Sequence, residues 1–302
     1  MTRRRIRGDR SPTANGQSDS ASSHAGTVGQ PATHLREGCH VVTAKLPNGD
    51  LMALEVPVDD DIGDRIAVTS HPYEAVELSI VDAFLSPNPA IIDVGANVGN
   101  HAIYWALTYH AEVSAFEPYH PARRLLDANV TRNGVGTLVD VHEQALGEGP
   151  GRATPEPRAG NLGATRLRTD PDGQVPVVSL DLLHPQRLDL LKIDIEGNEM
   201  AVLHGASHTI AEHRPTVWVE VLNSADRATV RAVMADHDYP AMLMLSPTNA
   251  LFLPRRSIVL RLAWHPRSMY HYVRRSLGPR VRQLRVRLSS GSVSTAKLRL
   301  AR

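Results

Sequence analysis

Cysteine is nearly absent from this chain, whose 302 residues contain only Cys39. A single thiol cannot form an internal disulfide, and this scarcity is typical of a reducing compartment. No histidine-paired signature surrounds Cys39, so the sequence predicts a buried or idle thiol and not a nucleophile.

Aromatic residues and long hydrophobic runs are also scarce. Aromatics make up 4% of the chain, so a core must be built from Val, Leu, Ile and Ala. No run of about 18 apolar residues is present, and no apolar stretch follows the basic start Met1–Arg5. These absences predict a cytoplasmic protein that contacts a membrane, if at all, only peripherally. A 42% hydrophobic content still allows one large domain or two small ones.

Acidic residues are missing from one end of the chain. Residues 255–302 contain 13 of the 33 lysines and arginines and no acid, which leaves 20 basic residues against 32 acidic ones elsewhere. Between Met269 and Leu288, apolar residues recur at near-helical spacing among arginines. The tail is therefore predicted to be partly helical and to contact an anionic membrane surface or nucleic acid. A solvated tail, or a helix packed on the acidic body, is the alternative.

Three segments are predicted along the chain. Residues 1–36 are rich in Ser, Gly, Ala, Thr and Arg without an apolar period, and we expect them to be disordered. Residues 37–254 form the predicted folded domain, and residues 255–302 the basic tail.

The folded domain is predicted to begin with a hairpin and a helix. The apolar runs Val41–Thr43 and Leu51–Leu54 flank Pro47-Asn48-Gly49-Asp50, a strong turn signal. Apolar residues at helical spacing then predict a helix over Tyr73–Leu85, which the prolines at 87 and 89 end.

Strands and helices alternate in the rest of the domain. The predicted strands are Ala90–Val94, Glu112–Phe116, Leu138–His142, Leu188–Ile193 and Thr216–Val221. The predicted helices are Gly99–Tyr109, Pro121–Asn133, Glu199–Glu212 and Ala225–Asp236. Consecutive apolar residues such as Ile91-Ile92 suit strands that are covered on both faces, so the fold class is α/β with a parallel sheet between helices. The segment Gly147–Gln174 interrupts the alternation, as either a loop or a short hairpin over the site.

A glycine-rich turn joins the first of these strands to its helix. In Asp93-Val94-Gly95-Ala96-Asn97-Val98-Gly99-Asn100, the glycines allow backbone to approach a ligand at the carboxyl end of the sheet. The Asp93 carboxylate suits a ligand with an ammonium and a sulfonium better than a pyrophosphate. Both G-x-G-x-x-G and a Gly-Lys-Ser/Thr ending are absent, which excludes a dinucleotide site and a P-loop. A tight turn without a ligand is the alternative.

An acid ends the second strand of the alternation. Glu117 lies about 20 residues beyond the glycines, where a carboxylate can accept both hydroxyls of a ribose. Pro118 has no N–H for the hydrogen bonds between strands, so the strand ends there. Glu117 is therefore predicted to lie at the edge of the sheet that faces the cleft. A solvated loop acid is the alternative.

Three charged residues alternate at the end of a later strand. Lys192, Asp194 and Glu196 point to one side if the strand extends that far, and burial of these charges is costly unless they are paired or functional. Asp194 is the candidate to orient a substrate hydroxyl or take its proton, and Glu196 is the reserve candidate. Glu220 adds acid to the same rim. A structural ion pair of Lys192 with Asp194 or Glu196 is the alternative.

Taken in order, these segments resemble the FkbM family of methyltransferases, within the class I, Rossmann-like, S-adenosylmethionine-dependent superfamily. The resemblance covers about half of the chain. The segments that carry it are Tyr73-Glu74, Ile91–Asn100, Phe116–Pro118, Ala145–Gly147, Val178–Asp181, Leu191–Gly197, Val202–Ala206 and Val219-Glu220.

The resemblance implies a seven-stranded sheet and S-adenosylmethionine as cofactor. It places Asp93, Gly95, Asn97 and Gly99, with Ala96 and Asn100 of the same turn, at the methionine half. It places Glu117 and Pro118 at the ribose, and Gln144 and Ala145 beside the adenine.

The resemblance also implies an activity. The predicted reaction is O-methylation of a hydroxyl on a sugar, polyketide or related metabolite, so the partner is a small-molecule or glycan acceptor. An N- or RNA methyltransferase, or a non-catalytic S-adenosylmethionine-binding module, is the alternative.

Histidines are numerous, but none has metal-ligand spacing with cysteine, and no metal site is predicted. His71, His101, His120 and His204 are interpreted as surface or cleft-wall residues. A divalent ion held by Asp194 and Glu196 is left open as an alternative.

Overall fold

The computed structural model describes residues 35–158, 161–221 and 223–254. The basic tail and nearly all of the segment predicted to be disordered lie outside the described residues. Within the described ranges, no helix is long and apolar enough to cross a membrane.

Thirteen strands and eight helices occur in the described part of the chain. The strands are β1 Cys39–Lys45, β2 Leu51–Pro57, β3 Ala90–Val94, β4 Glu112–Phe116, β5 Val139–His142, β6 Ala145–Leu146, β7 Gly151–Arg158, β8 Asn161–Thr169, β9 Val175–Val178, β10 Leu190–Ile193, β11 Thr216–Glu220, β12 Ala241–Met244 and β13 Asn249–Leu253. The helices are α1 Asp61–Thr69, α2 Ala75–Asp82, α3 Asn100–Tyr109, α4 His120–Arg132, α5 Leu180–Leu183, α6 Glu199–Gly205, α7 Ser207–His213 and α8 Ser224–Asp236.

Seven strands form the central sheet, in the order β12-β13-β11-β10-β3-β4-β5. Strands β3, β4, β5, β10 and β11 are parallel, whereas β13 runs antiparallel to both of its neighbours. The chain order reverses between β3 and β10, so a crevice opens there at the carboxyl ends of the strands. The predicted α/β class and the seven-stranded sheet are confirmed.

Helices cover both faces of this sheet, as predicted. One face packs with α2, α3, α4 and the hairpin β1–β2 in a core that includes Ile91, Trp105 and Trp218. The other face packs with α6, α7 and α8 around residues such as Ile92 and Leu191. Consecutive residues of one strand thus enter opposite cores, which is why both residues of Ile91-Ile92 and of Leu190-Leu191 are apolar.

Two predicted helices differ from the structure by more than their end residues, and two observed helices, α1 and the short α5, were not predicted. Helix α1 begins after Asp60, whose side chain accepts a hydrogen bond from the Gly63 N–H at 3.0 Å. The helix predicted over Tyr73–Leu85 is only α2. The helix predicted over Glu199–Glu212 is divided into α6 and α7, because the Asp181 carboxylate accepts hydrogen bonds from the His208 and Thr209 N–H groups and caps a new helix start.

Gly205 explains where α6 stops. A Cβ at this position would lie 2.0 Å from the carbonyl oxygen of Gly147, so only glycine allows the end of α6 to pack against that backbone. Two contacts distant in sequence therefore decide a boundary that helical periodicity alone could not show.

The predicted hairpin is confirmed as β1–β2. Two asparagines, Asn129 in α4 and Asn133 just after it, hydrogen-bond the hairpin to the rest of the domain. The Asn129 side-chain oxygen accepts from the Glu55 N–H at 2.6 Å, and its amide nitrogen donates to the carbonyl oxygens of Glu55 at 3.0 Å and Val98 at 2.9 Å. Asn133 pairs in the same way with both backbone groups of Ala53. Because Val98 belongs to the glycine-rich turn, Asn129 joins the hairpin to that turn.

We expect Asn129→Ala to lower the free energy of unfolding by about 3 kcal/mol or more. Asn129 is fully buried, and its loss leaves three buried backbone groups without partners, each costing about 1–3 kcal/mol. Urea unfolding monitored by circular dichroism measures the change. Asn133→Ala, at a partly buried position, is the matched control and should cost less; equal costs for the two variants would contradict this account.

The segment Gly147–Gln174 is a hairpin, one of the two alternatives that its sequence allowed. Strands β7 and β8 pair antiparallel and, with β6 and β9, form a separate sheet in the order β6-β9-β7-β8. Residues of β8 reach the cavity beside the central sheet.

Candidate active site

A cavity of about 310 Å³ lies at the carboxyl ends of β3 and β4, under the β7–β8 hairpin. Of the predicted site residues, seven line it: Gly95, Asn97, Glu117, Pro118, Ala145, Asp194 and Glu196. Five do not: Asp93, Ala96, Gly99, Asn100 and Gln144. Sequence reasoning missed the hairpin residues of the opposite wall, Leu162, Thr165 and Leu167, because nothing local to β8 indicates which surface it covers.

The glycine-rich turn bends back over the end of β4. The N–H groups of Gly95 and Ala96 both donate to the carbonyl oxygen of Phe116, at 3.0 and 3.1 Å. Gly95 has a φ of +81°, and a Cβ there would lie 2.0 Å from the carbonyl oxygen of Asp194. The turn thus requires glycine to bring β3, β4 and the end of β10 together at the cavity.

Gly95→Ala should be markedly more destabilising than Gly99→Ala. Both residues have positive φ, which costs a non-glycine residue about 1–2 kcal/mol. A Cβ at Gly99 would first meet Leu126 Cδ1 at 2.6 Å, a side-chain end that can move, whereas the Asp194 carbonyl next to Gly95 belongs to the backbone. We expect about 3 kcal/mol or more for Gly95→Ala against about 1–2 kcal/mol for Gly99→Ala in denaturant unfolding. A ranking in the other order would show that the backbone contact is easily relieved.

Glu117 is buried with its carboxylate at the cavity wall. Its Oε2 accepts from the Asn97 N–H at 2.9 Å, and its Oε1 accepts from the Tyr119 N–H at 2.8 Å. Burial, to which the charge of Asp93 adds, raises the pKa of Glu117 to about 7, against the hydrogen bonds that lower it. Each carboxylate oxygen keeps a further lone pair for a ligand hydroxyl.

Asn97 offers a second hydrogen-bond acceptor in the same cavity. Its φ of +49° is left-handed, a conformation that asparagine tolerates, and this directs its N–H toward Glu117. Its side-chain Oδ1 is buried and has no hydrogen-bond partner among the described residues. A buried acceptor without a donor suits a ligand that brings one.

Asp93 and Asn100, at the two ends of the turn, do not line the cavity. Asp93 is fully buried, and its Oδ1 is 3.1 Å from Lys192 Nζ. Asn100 holds both backbone groups of Tyr73, each at 3.1 Å. These contacts tie the turn to β10 and to the segment before α2, and direct contact of Asp93, Asn100 and Gln144 with a cofactor stays a prediction.

A buried lysine contacts two acids, one of which lines the cavity. Lys192 Nζ lies between Asp93 Oδ1 at 3.1 Å and Asp194 Oδ2 at 3.0 Å, so the Lys192–Asp194 ion pair, which the sequence offered as the alternative to a functional role, is present. Burial alone would lower the pKa of Lys192, but the charges of Asp194 and Asp93 raise it above its ordinary value. The strand register sets this pairing, because Lys192 lies directly beside Asp93 on β3.

Asp194 and Glu220 form a carboxylic pair next to this lysine. Burial would raise the pKa of Asp194, but the Lys192 charge and a hydrogen bond with Glu220 hold it below its ordinary value. Burial, with the charge and hydrogen bond of Asp194, raises the pKa of Glu220 to about 9. At neutral pH Asp194 is therefore ionised, while Glu220 keeps the proton that it shares in the hydrogen bond.

A parallel sheet that reverses order beside a glycine turn, with an acid ending the next strand, gives this chain the Rossmann-like fold of class I methyltransferases. A family model described as Methyltransferase FkbM domain matches residues 93–245, about half of the chain. The chain belongs to this FkbM methyltransferase family, which confirms the resemblance seen in its sequence.

Several known proteins are similar to the chain. Methyltransferase sdnD of Sordaria araneosa is 28% identical over 218 residues, which cover 57% of this chain and 78% of sdnD. AMB antimetabolite synthetase AmbE of Pseudomonas aeruginosa is 28% identical over 240 residues, 62% of this chain but only 11% of AmbE. The solved FkbM methyltransferase of Methylobacillus flagellatus KT is 20% identical with a TM-score of 0.43, over 55% of this chain and 43% of that one. The chain thus spans a small part of AmbE and less than half of the solved FkbM chain.

Proposed function

We propose that this protein transfers a methyl group from S-adenosylmethionine to a hydroxyl oxygen of a small metabolite, sugar or polyketide. The observation that carries the proposal is that Glu117, the glycine turn and Asp194 lie on the wall of one cavity. Glu117 is the candidate to accept hydrogen bonds from the ribose, and Asp194 is the candidate to orient the substrate that receives the methyl group. Both lie at the carboxyl ends of parallel strands, where such ligands bind.

The residues of the cavity fit the cofactor. The Glu117 carboxylate can accept the two ribose hydroxyls, and the unpartnered Oδ1 of Asn97 can accept from the ammonium of the methionine part. Pro118, Ala145 and Leu146 give an apolar wall for the adenine. Bound here, S-adenosylmethionine would supply a methyl group on a positively charged sulfur.

Asp194 is proposed to accept a hydrogen bond from the hydroxyl group that is methylated. Its ionised carboxylate, held by Lys192 at 3.0 Å, can accept a hydrogen bond from that hydroxyl and hold its oxygen toward the methyl group. The hydroxyl becomes strongly acidic as its oxygen gains a carbon, so even a carboxylate of lowered pKa can take the proton. Glu196 lines the same cavity and is the reserve candidate.

The shape and charge of the described domain favour a small acceptor. Residues of the β7–β8 hairpin line the cavity together with Glu117, and a cavity of about 310 Å³ favours an acceptor of limited size. Outside residues 255–302, acidic residues outnumber basic ones, 32 against 20, and such a surface attracts nucleic acid poorly. The predicted contact of the basic tail with nucleic acid or an anionic membrane stays a proposal of its own, as does the cytoplasmic location.

Calorimetry with S-adenosylmethionine, followed by transfer of labelled methyl groups into a metabolite extract, tests the proposal. We expect one cofactor per chain and label in small molecules whether or not the extract is treated with RNase. Loss of the label after RNase would favour an RNA methyltransferase. Cofactor binding without transfer to any extract would favour a non-catalytic binding module.

A further inference from the structure

Three potential metal ligands from separate parts of the fold meet beside the cavity. Glu74 precedes α2, His101 lies in the first turn of α3, and Asp194 follows β10. One ligand atom from each lies within 4.8 Å of the other two. Their wide separation along the chain explains why sequence spacing did not reveal the cluster. His101, interpreted from the sequence as a surface or cleft-wall residue, is buried and does not line the cavity.

The imidazole of His101 points into this cluster without a hydrogen bond. His101 is 6% exposed, and its ring packs against Trp218 and Trp105 with centroid separations of 5.1 and 5.7 Å. Its Nε2 is buried and lies 3.3 Å from Glu74 Oε2, yet it has no hydrogen-bond partner among the described residues. Buried polar atoms are nearly always satisfied, so this nitrogen indicates a missing partner at the cluster.

Glu74 is oriented toward the same point by a relay of side chains. Its Oε1 accepts from Asn249 Nδ2 at 3.0 Å, and Asn249 Oδ1 accepts from Trp218 Nε1 at 2.7 Å. Oε2 is thereby left to face His101. Outer hydrogen bonds of this kind fix the direction of a ligating carboxylate.

We propose that Glu74, His101 and Asp194 bind a divalent transition-metal ion at the edge of the methyl-transfer cavity. One imidazole with two carboxylates suits Mn²⁺, Fe²⁺ or Zn²⁺, and the imidazole makes Mg²⁺ or Ca²⁺ less suitable. The ligand atoms must close by about 1 Å around an ion, which the partly exposed side chains of Glu74 and Asp194 allow.

The charges around the cluster favour a cation. Glu74 and Asp194 of the cluster, with Asp93 nearby, outnumber Lys192, the cation that contacts Asp93 and Asp194. Lys192 occupies Asp194 Oδ2, but a carboxylate has about four lone-pair directions and can be shared. Asp194 opens onto the cavity, so an acceptor oxygen could complete the coordination of the ion. That role rests on the proposed function, whereas the site itself does not.

Metal binding by the full-length chain, stripped with a chelator, tests the site. Mn²⁺ is titrated with the electron paramagnetic resonance of the free ion as readout, and Zn²⁺ by competition with a chromophoric chelator. We expect one ion per chain and at least about tenfold weaker binding in both His101→Gln and Glu74→Gln. His204→Gln, at an exposed histidine of α6, is the matched control and should bind as the unaltered chain does.

Two safeguards keep this result interpretable. Gln at position 74 can still accept the hydrogen bond from Asn249, so Glu74→Gln should keep its fold even if His101→Gln does not, and metal-free urea unfolding checks both. Absence of one-to-one binding, or equal affinity in Glu74→Gln, His101→Gln and His204→Gln, would overturn the site. Calorimetry with S-adenosylmethionine is independent of added metal, so failure of this site and failure of the proposed function are separate outcomes.

Discussion

Glu117→Ala is expected to weaken the binding of S-adenosylmethionine and S-adenosylhomocysteine on the order of 10²-fold. Hydrogen bonds to a charged group contribute about 1.5–3 kcal/mol each, and the Glu117 carboxylate is placed to accept from two ribose hydroxyls. Isothermal titration calorimetry at pH 8 measures the change in Kd. The carboxylate also holds the Asn97 and Tyr119 N–H groups, so part of the loss comes from a looser turn.

Two further variants separate these contributions. Glu117→Gln keeps one acceptor oxygen for the backbone and should bind more weakly than the unaltered chain but more tightly than Glu117→Ala. Glu143 is an exposed acid that follows β5 and pairs with Arg123. Glu143→Ala should leave the Kd within about twofold of that of the unaltered chain. Unchanged affinity in both Glu117 variants would show that the cofactor does not use this carboxylate.

The pH dependence of cofactor binding follows from the same residue. Because burial raises the pKa of Glu117 to about 7, the carboxyl is largely protonated below that pH and accepts the ribose hydroxyls less well. Affinity should therefore fall as the pH decreases below 7, by up to about tenfold per pH unit, and Glu117→Gln should abolish this dependence. Between its ordinary pKa of 4.5 and about 7, the folded chain holds a proton that the unfolded chain has released. The contribution of Glu117 to stability therefore decreases as the pH rises through that window.

Asp194→Asn is expected to lower turnover on the order of 10²- to 10⁴-fold while changing the Kd of the cofactor by less than about threefold. The variant can still receive a hydrogen bond through its amide oxygen, but it loses the charge that accepts the proton of the hydroxyl. Turnover is measured as labelled methyl transferred to the acceptor found in the extract. An effect on KM alone would indicate that Asp194 only binds the acceptor.

Two control variants, compared with Asp194→Asn, make this experiment decisive. Glu196→Gln alters the other acid of the cavity wall and should reduce turnover far less, whereas a reversed order would assign the proton to Glu196. Asp140→Asn changes an exposed acid of β5 and should be without effect. Metal-free urea unfolding of all three checks that loss of the Lys192–Asp194 ion pair has not unfolded the protein.

Local sequence features located the elements and the edge of the sheet that carries the site. Predicted strands such as Ala90–Val94 and Thr216–Val221 match β3 and β11 closely, because the apolar runs Ile91-Ile92 and Val217–Val219 suit strands that are buried on both faces. Strands β12 and β13 were missed, since a short apolar run of four or five residues does not distinguish strand from helix.

The sequence by itself determined which residues end the parallel strands, and hence that the glycine turn, Glu117 and Asp194 meet at one edge. Parallel strands share a direction, so their carboxyl ends coincide whatever their order. Only the tertiary structure decided that Asp93 faces inward to Lys192 while Asp194 reaches the cavity, that the β7–β8 hairpin forms the opposite wall, and that Glu74 and His101 approach Asp194. The reason is that the depth of a side chain and its distant neighbours are set by strand order and packing between elements, which local periodicity does not encode.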